Sequence, residues 1–153
     1  MSVWDSPGKE YRIRYLEPPW RLLMSETTTA TFQIDPSFAR VDAGVPAKYL
    51  LVTTVEPGTA RARADEDVAM AGPRREMVIV PPRAVTTDSG DTGFEVLTHT
   101  MVVPEYPRNL RYVTLDSTRG GNVVRLVFQA NPSVDDPEVD AMIRAADVAP
   151  GTP

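Results

Sequence analysis

The chain has 153 residues, 42% hydrophobic and 24% charged, the size and balance of one ordinary globular domain with a core that needs no staples. Sixteen basic against 21 acidic residues leave a formal net charge of −5, which argues against a nucleic-acid binder held by phosphate contacts. With no cysteine and one histidine, His99, disulfides, thiolate catalysis, sulfur-ligated zinc and imidazole-rich metal sites are excluded within one chain.

Residues 1–9 hold Pro7 and Gly8 and show no periodicity, so they are expected to form a flexible tail. A single α+β domain over 10–149 and a C-terminal tail at 150–153 should follow. The opening residues have neither the basic nor the apolar region of a signal peptide. That leaves a cytoplasmic chain, or an exported, periplasmic or lipid-anchored one whose leader has been removed. No run reaches the roughly 20 apolar residues of a membrane-spanning helix. Fourteen of the 16 basic residues are arginine, a bias that, with the alanine and proline content, fits a GC-rich bacterial gene.

Tyr11–Tyr15 alternates apolar and basic residues, the period-2 mark of a strand with one wet side. Pro18-Pro19 should stop it, since proline donates nothing to a ladder. Trp20–Met24 and Thr28–Ile34 read as further strands, 36–46 as a loop, and Lys48–Glu56 as a buried strand closed by Pro57-Gly58. Residues 59–71 are good helix formers with Thr59 as N-cap and Gly72-Pro73 as C′ glycine and stop. Met77–Val80 and Arg83–Thr86, interrupted by Pro81-Pro82, predict an edge or a bend. Gly93–Val103 follows as a strand, and Leu110–Asp116 with Asn122–Ala130 flank Gly120-Gly121 as a hairpin. The last element is a helix with Asp136 at its N-cap, Pro137 at N1 and Glu138 in the first turn. Its Val139, Met142, Ile143 and Ala146 fall on one apolar stripe, and Pro150-Gly151 ends it.

Three stretches resemble the PsbP-like family: YRIRYLEPPW at 11–20, DSGDTGFEV at 88–96, and NVVRLVFQAN followed by PEVDAMIRAADV over 122–148. The family is an α/β/α sandwich shared by photosystem II extrinsic subunits, a Ran-binding nuclear import factor and many bacterial envelope proteins. This chain departs from it at Ala145-Ala146, where a Ser-Phe pair is common. The resemblance implies an antiparallel sheet flanked by helices and a non-enzymatic accessory or protein-binding role in the bacterial cell envelope. It carries over no catalytic residue and no cofactor.

The residues themselves offer little chemistry. His99 invites a nucleophile-base arrangement, but no G-x-S-x-G elbow accompanies it, and mid-strand it reads as structural or surface. Asp88 and Asp91 in a glycine-bearing turn could touch calcium, yet the full loop pattern is missing and a hairpin turn suffices. Asp135, Asp136, Glu138 and Asp140 suit a helix N-terminus without any ligand. Arg74, Arg75 and Arg83 are the candidate contacts to an acidic protein partner, set against nearby Asp65, Glu66, Asp67 and Glu76. Tyr15, Trp20, Phe32 and Phe128 read as core; lining a sheet–helix cavity, they would make the chain a small-ligand-binding module instead. Trp4 is expected to dock on a neighbour or be disordered. A homodimer is compatible with all of this, and a carboxylate-pair hydrolase is the third alternative.

Overall fold

The structure is a computed structural model and describes residues 1–34, 41–42, 45–46, 49–100, 108–117, 120–130 and 137–149. Its first element corrects the expected tail: Ser2–Asp5 is a strand, β1, antiparallel to β2 (Tyr11–Tyr15). Trp4 is the reason. Its ring packs 5.3 Å from Tyr11 and 6.0 Å from Phe32, and Asp5 fixes the register through Arg12 at 2.6 Å. One core side chain in four residues is too short a signal for periodicity to expose. In β2 the alternation holds, with Tyr11, Ile13 and Tyr15 buried and Arg12 and Arg14 half-buried.

Strands β3 (Trp20–Ser25) and β4 (Ala30–Ile34) pair antiparallel, with a register shift between Leu22 and Met24. In the expected loop, β5 (Val41–Asp42) and β6 (Val45–Pro46) form a short ladder. After β7 (Tyr49–Pro57) comes α1 (Ala60–Met70), capped by the Thr59 hydroxyl accepting from the Ala62 N–H at 3.2 Å. Gly72 is not the left-handed residue. The positive φ falls on Arg75, at 57°, where the chain turns so that Glu76 N–H reaches the Ala71 carbonyl at 2.8 Å.

The remaining strands are β8 (Glu76–Thr86), β9 (Thr92–Thr100), β10 (Arg108–Asp116) and β11 (Asn122–Ala130), followed by α2 (Pro137–Arg144) and β12 (Asp147–Val148). β8 runs through Pro81-Pro82 as one edge strand with two register shifts, which is how an edge tolerates residues that cannot donate. Gly93 sits where β9 meets β10 closely: an added Cβ would collide with the Thr114 carbonyl and lie 2.8 Å from Leu115 Cα. The expected N-cap Asp136, the strand end 101–103 and the stop at 150–151 lie outside the described residues.

Seven strands form one antiparallel sheet in the order β3-β4-β7-β11-β10-β9-β8, and a second sheet runs β1-β2-β12. The register sends Leu51, Val113, Leu126 and Phe128 to one face, where they join Tyr11, Ile13, Val139, Met142, Ile143 and Val148 in one core. α1 covers the opposite face, with Arg61 over the Phe94 ring at 5.2 Å. Among the described residues the fold is therefore mostly antiparallel sheet with two helices. It is more β-rich than the helix-flanked sandwich expected, because the three-stranded sheet shares one outer layer with α2.

Candidate functional site

Pro18 and Pro19 end β2, and Trp20 N–H bonds back to the Leu16 carbonyl at 2.9 Å, so the chain turns a tight corner into β3. α2 lies across this corner because its apolar stripe, Val139, Met142 and Ile143, is buried in the core. Ala141 of α2 and Ala145 just past its end, whose N–H bonds to the Ala141 carbonyl at 3.0 Å, share a second side. Being small, they leave open a groove of about 220 Å³ between helix and corner. Tyr15, Pro19, Trp20 and Met142 complete its apolar walls, and Arg14 and Glu138 are its charged members. Arg14 NH1 lies 2.6 Å from Asp147 and 2.7 Å from the Ala145 carbonyl, tying β2 to the end of α2. At the rim, Met1 is 79% and Leu16 53% exposed. Val3, opposite Arg14 in the ladder, is equally open at 53%.

The three arginine candidates do not gather. Arg74 serves α1, pairing with Asp67 at 3.2 Å and stacking 5.2 Å over Tyr112. Arg83 holds Glu95 at 2.6 Å on the opposite face, where Arg111 also clasps Glu95 at 2.7 Å and reaches Asp140 of α2. Arg75 is exposed on its turn.

Beneath α1 the structure assembles a charged cluster that periodicity did not predict. Asp67, 1% exposed, accepts two bonds from Arg125 at 2.8 and 3.0 Å. Glu56 pairs with Arg63 and stands 3.6 Å from Arg125. Burial first, and then the Glu76 carboxylate, push the Tyr112 phenol well above its ordinary value, so it stays protonated and donates to Glu76. These groups are spent on one another.

His99 Nδ1 lies 2.8 Å from the Asn109 side chain across the β9–β10 ladder, a structural partner. The aspartates of the β8–β9 turn likewise fasten the fold. Asp91 accepts from Val148 N–H at 2.9 Å, and Ser89 donates to Asp147. Among the described residues no group of three or more His, Asp or Glu side chains is placed to hold a metal ion, and no helix is long and apolar enough to cross a membrane. Tyr15, Trp20, Phe32 and Phe128 belong to the core as expected, and Tyr15 and Trp20 also line the groove.

No family model matches the chain, and no curated protein matches it. Among solved structures it is similar to a protein of Bacteroides thetaiotaomicron VPI-5482, crystallised at 1.50 Å resolution, with a TM-score of 0.54 and 10% identity. The match covers 95% of this chain and 47% of that one, so the chain spans about half the length of its neighbour. The likeness is one of fold.

Proposed function

We propose that this chain is a non-enzymatic interaction domain that holds a protein partner at the groove between α2 and the β2–β3 corner. The observation that carries it is the open apolar groove, whose lining includes the exposed Met1 and Leu16. Apolar surface of this kind, rimmed by charge, marks binding sites. The volume supports a side-chain anchor over a free small molecule: about 220 Å³ is less than the roughly 300–1,000 Å³ of small-molecule sites. Interfaces commonly concentrate their energy on one such buried anchor. The resemblance to the PsbP-like α/β/α sandwich supports an accessory role, and it alone supports the bacterial cell envelope as the setting.

The experiment is a cross-linked pull-down from native cell envelopes with the wild-type chain and Ala141→Phe, which fills the groove from an exposed helix position. A partner recovered by the first and lost by the second supports the reading. Identical recoveries, or robust turnover of a small substrate by the purified chain, overturn it. A small-ligand-binding module is the second reading, favoured by the nearly all-apolar walls. Native mass spectrometry showing a co-purified organic molecule, displaced in Ala141→Phe, would move the assignment there.

A further inference from the structure

We infer that His99 and Met77 form a binding site for a soft monovalent metal ion, Cu(I) by its chemistry, at the β8 edge of the large sheet. Met77 of β8, His99 of β9 and Asn109 of β10 are direct cross-strand partners, so their side chains stand in one row on one face. Partners in such a row hold their Cβ atoms about 4.5–5.5 Å apart. On the β10 side, His99 Nδ1 lies 2.8 Å from the Asn109 side-chain oxygen. That bond fixes the ring, puts the proton on Nδ1 and leaves the Nε2 lone pair for a ligand, which is how an outer partner orients a ligating imidazole. On the β8 side stands Met77, 53% exposed, an unbranched thioether with the reach and freedom to bring its sulfur to an ion on Nε2.

The charges around the row choose the ion. Its two ligands, a neutral imidazole and a thioether, bring no negative charge. Glu95, four residues back on the same face of β9, is held by Arg83 at 2.6 Å and Arg111 at 2.7 Å, and Arg111 also holds Asp140. Glu76 accepts the Tyr112 hydroxyl at 3.0 Å on the opposite face. A hard divalent ion asks for several oxygen ligands and zinc for four donors, and such a set is missing among the described residues. Thioether sulfur selects Cu(I), imidazole accepts it, and this closed-shell ion is satisfied by as few as a pair of ligands.

The test titrates Cu(I), kept reduced by ascorbate, into the full chain against the chromophoric chelator bicinchoninate. Ag(I) serves as a redox-inert stand-in for NMR. The wild type is expected to take up a single ion, and Ag(I) should move the His99 ring and Met77 methyl resonances together. Asn109→Leu, which removes only the orienting partner, should weaken Cu(I) by about tenfold; Met77→Leu and His99→Gln should each weaken it further. Met24→Leu, an equally exposed methionine on the far edge strand β3, should leave uptake unchanged. Circular dichroism of Met77→Leu matching the wild type separates loss of metal from loss of fold. No uptake in competition with the chelator, uptake by Met77→Leu equal to wild type, or the same loss in Met24→Leu overturns the site. Displacement of Cu(I) by an equal concentration of Zn(II) overturns the soft-ion assignment.

Discussion

On one face of the seven-stranded sheet, α2 turns Val139, Met142 and Ile143 inward; on the other, α1 buries only Ala60, Ala64 and Asp67. Both are short helices that would be marginal alone in water, so each owes its place to what it touches. α2 is held mainly by apolar area, which is non-directional and forgiving, and its Asp140 also reaches the buried Arg111–Glu95 pair at 2.5 Å. α1 is held by a bidentate Asp67–Arg125 pair, by Ala60 N–H donating to Asp116 at 2.7 Å, and by Arg61 over Phe94. Such contacts fix orientation but give back much of their Coulomb gain in desolvation. They also leave loose ends. Arg63 Nε and Thr98 Oγ1 are buried without a hydrogen-bond partner among the described residues, each costing about 1–3 kcal/mol. Helices can thus be docked by grease or by charge, and only the first leaves room to open an apolar groove beside it.

The harshest way to break the contrast is Ile143→Asp. Ile143 is 2% exposed within the main core. Removing its side chain costs about 2–5 kcal/mol, and burying a carboxylate in its place adds more. Urea unfolding followed by circular dichroism should show loss of the cooperative transition, or stability reduced by most of its native value.

Next comes Asp67→Ala, which leaves Arg125 with Glu56 at 3.6 Å as its remaining carboxylate, beside the Thr114 hydroxyl at 3.1 Å and the Tyr112 ring at 5.5 Å. Stability should fall by about 3 kcal/mol, read by the same denaturation curve. Amide exchange should quicken in α1 while β10 and β11 keep their protection. Replacing both partners, Asp67→Leu with Arg125→Met, should bring stability back to about the wild-type value or above it. Arg74 is 31% exposed at its side chain and can turn to water, and Glu56 keeps Arg63. If the double change is as damaging as the single one, charge is not what docks α1.

The same contrast explains what could be read in advance. The α2 stripe at 139, 142, 143 and 146, the β10–β11 hairpin and the Thr59 cap are local patterns, and each stands where it was expected. Asp67 and Arg125 are 58 residues apart, and no spacing rule singles them out from exposed charges nearby. Strand β12 is two residues long and exists because Asp147 and Val148 meet β2. The groove lay between these cases. Its aromatic wall, Tyr15 and Trp20, was picked out as apolar, but the vacancy depends on Ala141 and Ala145 facing the corner, which needs the tertiary arrangement.

A smaller effect sharpens the α1 side. Thr59→Ala removes the hydroxyl that accepts from Ala62 N–H and should cost about 1 kcal/mol. If α1 is clamped by its charged pairs, the loss should appear mainly as faster exchange in the first turn, with Asp67 and its partners undisturbed. Exchange-coupled mass spectrometry of that segment would show it. Uniform deprotection of the whole helix would mean that the cap, and not the ion pair, sets its stability.

The smallest effect tests the ion pair at the edge of the small sheet. Asp5 joins β1 to β2 through Arg12, whose guanidinium is bonded at 2.6 and 3.1 Å. That hydrogen bond, opposed by partial burial and helped by Lys9, lowers the Asp5 carboxyl from 3.8 to about 2. A carboxyl with a depressed folded value stabilises the fold above its unfolded value, and the contribution is lost as pH falls from about 3.8 through about 2. An ion pair this near the surface is worth under about 1 kcal/mol, so β1 should loosen without unfolding the sheet. Trp4, one residue away and packed on Tyr11, supplies the signal: its indole resonance should move through that acid window in the wild type and stay flat in Asp5→Asn. Movement of the Tyr112 ring over the same pH range would show instead that acid reaches the α1 cluster first, and the difference between the two faces would have to be drawn the other way.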